Sequence, residues 1–240
     1  VKSGYYLVRI AKRLYKSDVM KSIYPDDGER LHHILKKQIF GIAPSKITSL
    51  IAGNYFYGNK DDSDIMDDIR KNLVYADTLS AAVDGTMQQL INEKFDYLAK
   101  EGTDVKFDYI VGNPPYQTEL KNTSDKPVYN LFMDSAYSIA DCVMLITPAR
   151  FLFNAGKTPK DWNKKMLNDE HLKVVKYIAN GRSVFPNTDI KGGIAITLHS
   201  MKQVFKPIKV FIVFDELRSI FDKVQDKNET PISTAMYGTS

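Results

Sequence analysis

A mixed α/β fold with a mostly parallel sheet is what this sequence predicts. Three observations carry that prediction. Strand and helix signals alternate along most of the 240 residues, which is the rhythm of repeated βαβ units. Several strands read as short apolar runs, such as Tyr109-Ile110-Val111 and the stretch CVMLIT from Cys142 to Thr147. One of them, Phe107–Gly112, stops at Asn113-Pro114-Pro115-Tyr116, where two residues without a backbone N–H must end a ladder.

The elements follow in order. SGYYLVRIAKRLY puts Leu7, Ile10, Ala11 and Leu14 on one helical face. QIFGIA, Gln38–Ala43, reads as a short buried strand. PSKITSLIAGNYFYG reads as a helix started near Ser45 and stopped by Gly58. NLVYAD, Asn72–Asp77, is the next strand, and Met87–Ala99 a helix. Phe107–Gly112 is a buried strand, followed by a helix over Tyr129–Ala140 and the strand Cys142–Thr147. Thr158-Pro159 opens another helix, with proline in its first turn. HLKVVKYIA and GGIAITLHS are two more strands. IKVFIVFDELRSIFDKVQ reads as a strand and then a helix, and the tail DKNETPISTAMYGTS as polar and loose. Ligands of such sheets bind beyond the carboxyl ends of the strands. Asn113 and Asp77 each lie just past such an end.

Composition narrows the class. Hydrophobic residues make up 43% and charged residues 26% of the chain, which suits one sizeable globular domain or a domain with an appendage. No apolar run approaches the ~20 residues a membrane helix needs. The opening VKSGYYLVRIAKRLYK is too charged for a secretory leader. A single cysteine, Cys142, excludes an internal disulfide and fits a reducing compartment. The net charge of +4 permits contact with nucleic acid. No metal centre is expected. His32, His33, His171 and His199 lack ligand spacing with Cys142, and Asp61–Asp68 lacks the glycine and glutamate of a calcium loop. The lysines between Lys157 and Lys176, with Arg182, form either a solvated face or a set of phosphate contacts.

Asn113-Pro114-Pro115-Tyr116 suits a particular chemistry. The exocyclic amine of a nucleobase is a poor nucleophile, because its lone pair is delocalised into the ring. Two acceptors, one for each N–H, would push that nitrogen towards tetrahedral geometry and free the lone pair. The Asn113 side-chain oxygen is one acceptor, and the Pro114 carbonyl the other. The prolines hold the frame and remove competing donors. Tyr116 offers a face for a base flipped out of its duplex. Such stacking returns about 1–3 kcal/mol. The bland alternative is a strand-ending turn.

FDYIVGNPPY, from Phe107 to Tyr116, resembles the adenine-specific DNA methyltransferases of bacterial restriction–modification systems, and most nearly their Eco57I-like group. The likeness runs from the first residue to about Ser200. VKSGYYL is similar to the end of the family's glycine-rich cofactor loop, and YADTL to the segment whose acid sits near the cofactor's adenine. SVFPNTDIKGGIAITL is similar to a later segment that supplies a second aromatic against the flipped base, here Phe185. The resemblance implies a Rossmann-like doubly wound sheet and transfer of methyl from S-adenosylmethionine to adenine N6. It implies catalytic roles for Asn113, Pro114, Pro115 and Tyr116, cofactor contacts at Ser3, Gly4, Asp77 and Thr78, and base stacking by Tyr116 and Phe185. It implies a catalytic domain over residues 1–204, with an extension or the start of a target-recognition region over 205–240. Double-stranded DNA is the implied partner, with a fused or separate endonuclease and a target-recognition domain, in a bacterial cytoplasm. Two departures stand out. The first strand of the cofactor loop, central in the family's sheet, would lie upstream of Val1, so the catalytic domain reads as incomplete at its start. Ala43 stands where members commonly carry a ribose-binding acid.

Three other readings remain at this stage. Cytosine N4 offers a similar amine. Methylation of a protein glutamine uses a similar motif. A non-catalytic DNA-binding or interaction fragment is the reading from a different class.

Overall fold

The computed structural model describes residues 1, 3–58, 68–118, 126–188 and 190–225. The acidic run Asp61–Asp67, Asp189 and the tail from Asp226 lie outside the described residues. Two compact units, Val1–Val143 and Met144–Ser240, are taken in turn.

The first unit opens with three helices, α1 (Tyr5–Lys16), α2 (Asp18–Ile23) and α3 (Asp27–His33). The α1 face is as the periodicity predicts: Leu7 and Ala11 are buried, with Ile10 and Leu14 packed beside them. The predicted strand over Gln38–Ala43 is shorter than expected. A π-helical turn occupies Ile34–Gln38, and β1 covers only Gly41–Ala43. The cause is the buried side chain of Asn72. Its Nδ2 donates to Leu35 O (2.9 Å) and Lys36 O (3.0 Å), meeting carbonyls at the helix end. Its Oδ1 accepts from the Tyr97 hydroxyl at 2.8 Å. Its backbone carbonyl accepts from Gly41 N–H at 2.9 Å, the start of the ladder.

β2 (Leu73–Tyr75) then pairs in parallel with β1, in the register Gly41↔Leu73, Ile42↔Val74, Ala43↔Tyr75. α4 (Lys46–Tyr57) lies between them in sequence. Ser45 and Thr48 form a capping box at its start, and Gly58 closes it. Alternation along β2 serves two cores. Leu73 joins a cluster with Leu7, Ala11, Ile34 and Ala52, whereas Val74 packs against a second cluster that contains Ile91, Phe95 and Ile139.

That second cluster draws on α5 (Thr78–Val83), α6 (Met87–Lys94) and α7 (Tyr129–Ile139). The predicted helix over Met87–Ala99 ends at Lys94, followed by a short 3-10 turn, Asp96–Leu98. Phe95, fully buried, meets Phe40 edge-on at 5.9 Å and Phe107 at 5.6 Å. β3 is Phe107–Gly112, as predicted, but it is not a buried strand. Phe107 and Ile110 reach the core cluster, whereas Tyr109 is 71% exposed and Val111 52%. After the turn a short antiparallel pair forms from β4 (Gln117–Thr118) and β5 (Lys126–Pro127).

β6 (Ala140–Pro148) runs from the first unit into the second. In the second unit the strand order is β6-β8-β7, with β7 (Leu172–Ile178) and β8 (Ile194–Ser200) antiparallel. α8 (Lys160–Leu167) starts one residue later than expected, with Pro159 as its cap. Trp162 is buried and meets Phe151 at 5.5 Å. The strand expected near Val210 does not form, although α9 (Asp215–Gln225) does. The class is mixed α/β, consistent with a mostly parallel sheet that ends in an antiparallel pair. Among the described residues no helix is long and apolar enough to cross a membrane.

His199 is buried in the second unit, with its Nε2 3.4 Å from Asp169 Oδ2. Burial lowers its pKa below the ordinary 6.5, against the opposing pull of the Asp169 carboxylate, and the neighbouring His171 and Lys165 lower it further. The unfolded chain therefore binds this proton more readily than the folded one.

Two outcomes are expected. Asn72→Ala should cost about 1–3 kcal/mol in denaturant unfolding, since buried acceptors lose their donor; an unchanged midpoint would remove Asn72 from this role. Stability should be fully present above the ordinary histidine value and fall as the pH drops below 6.5. Replacing His199 by Gln should flatten that slope in melts across the acidic range.

Candidate active site

Asn113-Pro114-Pro115-Tyr116 leaves the end of β3 as a turn that accepts hydrogen bonds more readily than it donates them. Asn113 and Pro115 are exposed, whereas Pro114 and Tyr116 are half-buried. The turn is held at both ends. Upstream is the β3 backbone. Downstream, Val128 N–H donates to the Tyr116 carbonyl at 3.1 Å, beside the Gln117↔Pro127 pairing. Burial pushes the Tyr116 hydroxyl up to about 12, and the phenol of Tyr6 adds to the rise. Tyr116 therefore holds its proton more firmly than a free tyrosine and sits close enough to Tyr6, in the first turn of α1, to feel it.

Tyr6 is the residue that sequence reasoning missed here. The signal was present in SGYYL, where two aromatics follow the glycine, but spacing alone does not reveal which of them turns towards residue 116.

The Ser3–Gly4 segment lies against β1 and α4. The Val1 nitrogen donates to Ile42 O. Gly4 caps α1 with φ +77°, and a Cβ there would fall 2.8 Å from Ala52 O. Its glycine character serves a close approach to the α4 backbone. Ser3 is exposed beside it. Among the described residues no side chain caps the start of α1, so its first N–H groups keep their capacity for an acceptor.

Asp77 follows β2 at its carboxyl end, and Ala76 N–H donates to Ala43 O at 3.0 Å. Asp77 caps α5. Its Oδ1 accepts from Ser80 N–H (3.0 Å) and its Oδ2 from the Ser80 hydroxyl (2.7 Å). These bonds hold its carboxyl below the usual carboxylate range. The carboxylate is exposed and charged, with further lone pairs on each oxygen. Thr78 is half-buried next to it. Ala43 is fully buried and has no polar side chain to offer.

Phe185 belongs to the second unit. It is half-buried in a turn where its N–H donates to Gly181 O at 2.9 Å and Thr188 N–H donates to its carbonyl at 3.1 Å. Among the described residues no group of three or more His, Cys, Asp or Glu side chains is arranged to hold a metal ion. A depression of about 370 Å³ lined by Tyr24, Glu29, His32, His33, Lys36 and Lys37 contains none of the predicted site residues.

Comparison with known proteins gives three likenesses. The family model described as Eco57I restriction-modification methylase matches residues 37–185, more than half of the chain and a span that includes Asp77, the Asn113–Tyr116 turn and Phe185. A Mycoplasma pneumoniae protein described as an uncharacterized adenine-specific methylase is 24% identical over 242 residues, covering 80% of this chain and 57% of its own length. A solved structure, a nuclease-deletion mutant of the Type ISP restriction-modification enzyme LlaGI in complex with a DNA substrate mimic, aligns with a TM-score of 0.57. It is 13% identical, and the match covers 92% of this chain and 22% of that one, a likeness of fold. This chain thus spans little more than half of the Mycoplasma relative and under a quarter of LlaGI.

Gly4→Ala should be destabilising, by about 1–3 kcal/mol for a non-glycine residue held in the left-handed region, before any displacement of Ala52. Equal thermal midpoints for the two proteins would mean that α1 and α4 do not rest on that contact.

Proposed function

The chain belongs to the Eco57I restriction-modification methylase family, and we propose that it forms the catalytic part of a site-specific DNA adenine N6-methyltransferase. The observation that carries the reading is the turn after β3. Asn113 is exposed, two prolines make the backbone rigid, and Tyr116 is half-buried with its phenol protonated. The substrate is an adenine flipped out of double-stranded DNA. The Asn113 side-chain oxygen and the Pro114 carbonyl each accept one N–H of its amino group. That pair draws the nitrogen towards tetrahedral geometry and exposes its lone pair. The Tyr116 ring stacks on the base, with Phe185 as the second aromatic. The residues act by positioning, and no side chain has to be a strong base, since water takes the proton released from nitrogen.

S-adenosylmethionine is the proposed cofactor; when bound it supplies an electrophilic methyl group. The residues present fit it. Ser3, Gly4 and the uncapped N–H groups of α1 offer donors, and the ionised Asp77, beside Thr78, offers acceptors for an adenine amino group. With Ala43 in place of an acid, the ribose hydroxyls rely on other partners. The reading also includes a catalytic domain over residues 1–204, an extension or the start of a target-recognition region over 205–240, and a fused or separate endonuclease. It places the protein in a bacterial cytoplasm.

The test is Asn113→Ala in the full-length enzyme, with duplex DNA and radiolabelled cofactor. Transfer should fall by at least about 100-fold, the order seen when one preorganised polar contact to the reacting group is lost. DNA affinity should change little. Hydrolysis of the labelled DNA should yield N6-methyl-2′-deoxyadenosine. Full activity in the variant would refute the role of Asn113, whereas label only on protein or on cytosine would refute the substrate.

A further inference from the structure

An arginine in the second unit is built as though something is to be held by it. Arg150 follows Pro148-Ala149 at the carboxyl end of β6 and starts the 3-10 turn Arg150–Phe153. It is exposed, and among the described residues its guanidinium makes no hydrogen bond or ion pair. An exposed arginine without a partner ordinarily samples many rotamers. Here the stem is braced on two sides by backbone. Gly156, at φ +93°, lies so close that a Cβ there would be 3.3 Å from Arg150 Cβ and 3.5 Å from its Nε. Gly192, at φ +84°, is closer still, for its Cβ would fall 2.5 Å from Arg150 Cγ. The backbone angle disfavours a side chain at both places, and at Gly192 the space does too.

The brace is itself tied down. The Tyr177 hydroxyl donates to Gly192 O at 3.3 Å, and Ala149 N–H donates to Gly193 O at 3.0 Å. On the other side Ala155 N–H donates to Arg150 O at 3.1 Å, and Asn154 closes the turn in the left-handed region. Phe153 of the same turn packs edge-on against Tyr177 and Phe211, at 5.7 and 5.4 Å. The arginine stem is thus braced from Cβ to Nε, and among the described residues its charge has no partner. A side chain that serves only to cover apolar surface would not need two glycines to clear its path. A guanidinium ordered in advance loses little freedom on binding, and its planar fork matches two oxygens of a phosphate.

We infer that Arg150 clamps a phosphate of the DNA backbone in a seat made by Gly156 and Gly192. The assignment rests on the DNA-methyltransferase reading above and adds a contact to it. Phosphate contacts fix the register of a protein on its duplex and carry no base information. The clamp therefore contributes to affinity for any sequence.

The test uses the full-length enzyme and a short duplex, with binding measured by fluorescence anisotropy across a salt series. Arg150→Met keeps the packed stem and removes the charge. It should weaken binding about tenfold on every sequence and reduce the magnitude of the salt slope by about one. Its thermal midpoint should match that of the wild type. Arg150→Lys should keep the slope and lose part of the affinity, because an ammonium cannot grip two oxygens. A methionine variant with the wild-type slope and affinity overturns the clamp while leaving the methyltransferase reading intact. A wild-type enzyme that binds no duplex overturns that reading and the clamp with it.

Discussion

The amide of Asn72 joins the parts of the first unit that carry Gly4, β1 and Asp77. It stands where a helical run has to stop and a parallel ladder has to begin. Helix ends leave carbonyls without partners, and a buried carbonyl without a donor is costly. Asn72 answers two of them from its side chain, while its own carbonyl receives the first hydrogen bond of β1. The β1–β2 register follows, bringing Ala43 beside Tyr75 and setting Asp77 just beyond. Asp77 then starts α5, whose alanines pack into the core around Phe95. One side chain therefore links the packing of the unit to the position of an exposed carboxylate.

The turn after β3 obeys a different constraint. Pro114 and Pro115 have no N–H, so the backbone there offers acceptors and cannot extend the ladder. The chemistry proposed for the site needs that one-sidedness, because an amine that is to be made nucleophilic must donate both hydrogens. The same residues keep the strand end at the surface. Asn113 is exposed, and so are Tyr109 and Val111 behind it. Rigidity comes from the proline rings and from the β4–β5 pair beyond them. Half withdrawn from water, the phenol at position 116 holds its proton more firmly than an exposed tyrosine does.

Much of the framework could be read locally. The capping box at Ser45, the stop at Gly58, the amphipathic face of α1 and the end of β3 all depend on groups a few residues apart. Where reading failed, distant residues intervened. β1 loses its expected first residues to a π-helical turn held by Asn72. The apolar stretch near Val210 forms no strand, because an apolar run specifies a strand only when a neighbouring edge is there to pair with it. Within the candidate site, the residue types at 113–116 and at 77 were legible. The neighbourhood of Tyr6 and Tyr116 was not, since 110 residues of chain separate two phenols whose electrostatic coupling arises only on folding.

By itself the sequence determined which groups can donate and accept, where ladders and helices must stop, and which family motif the chain carries. These are properties of single residues and near neighbours, and they survive in any conformation. Only the tertiary structure decided that Gly4 is a glycine for the sake of Ala52, that β3 shows one flank to solvent, and that Arg150 is braced between Gly156 and Gly192. Those outcomes depend on which backbone comes within a few ångströms of which other, and close approach between distant segments is written nowhere in local hydrogen-bonding capacity.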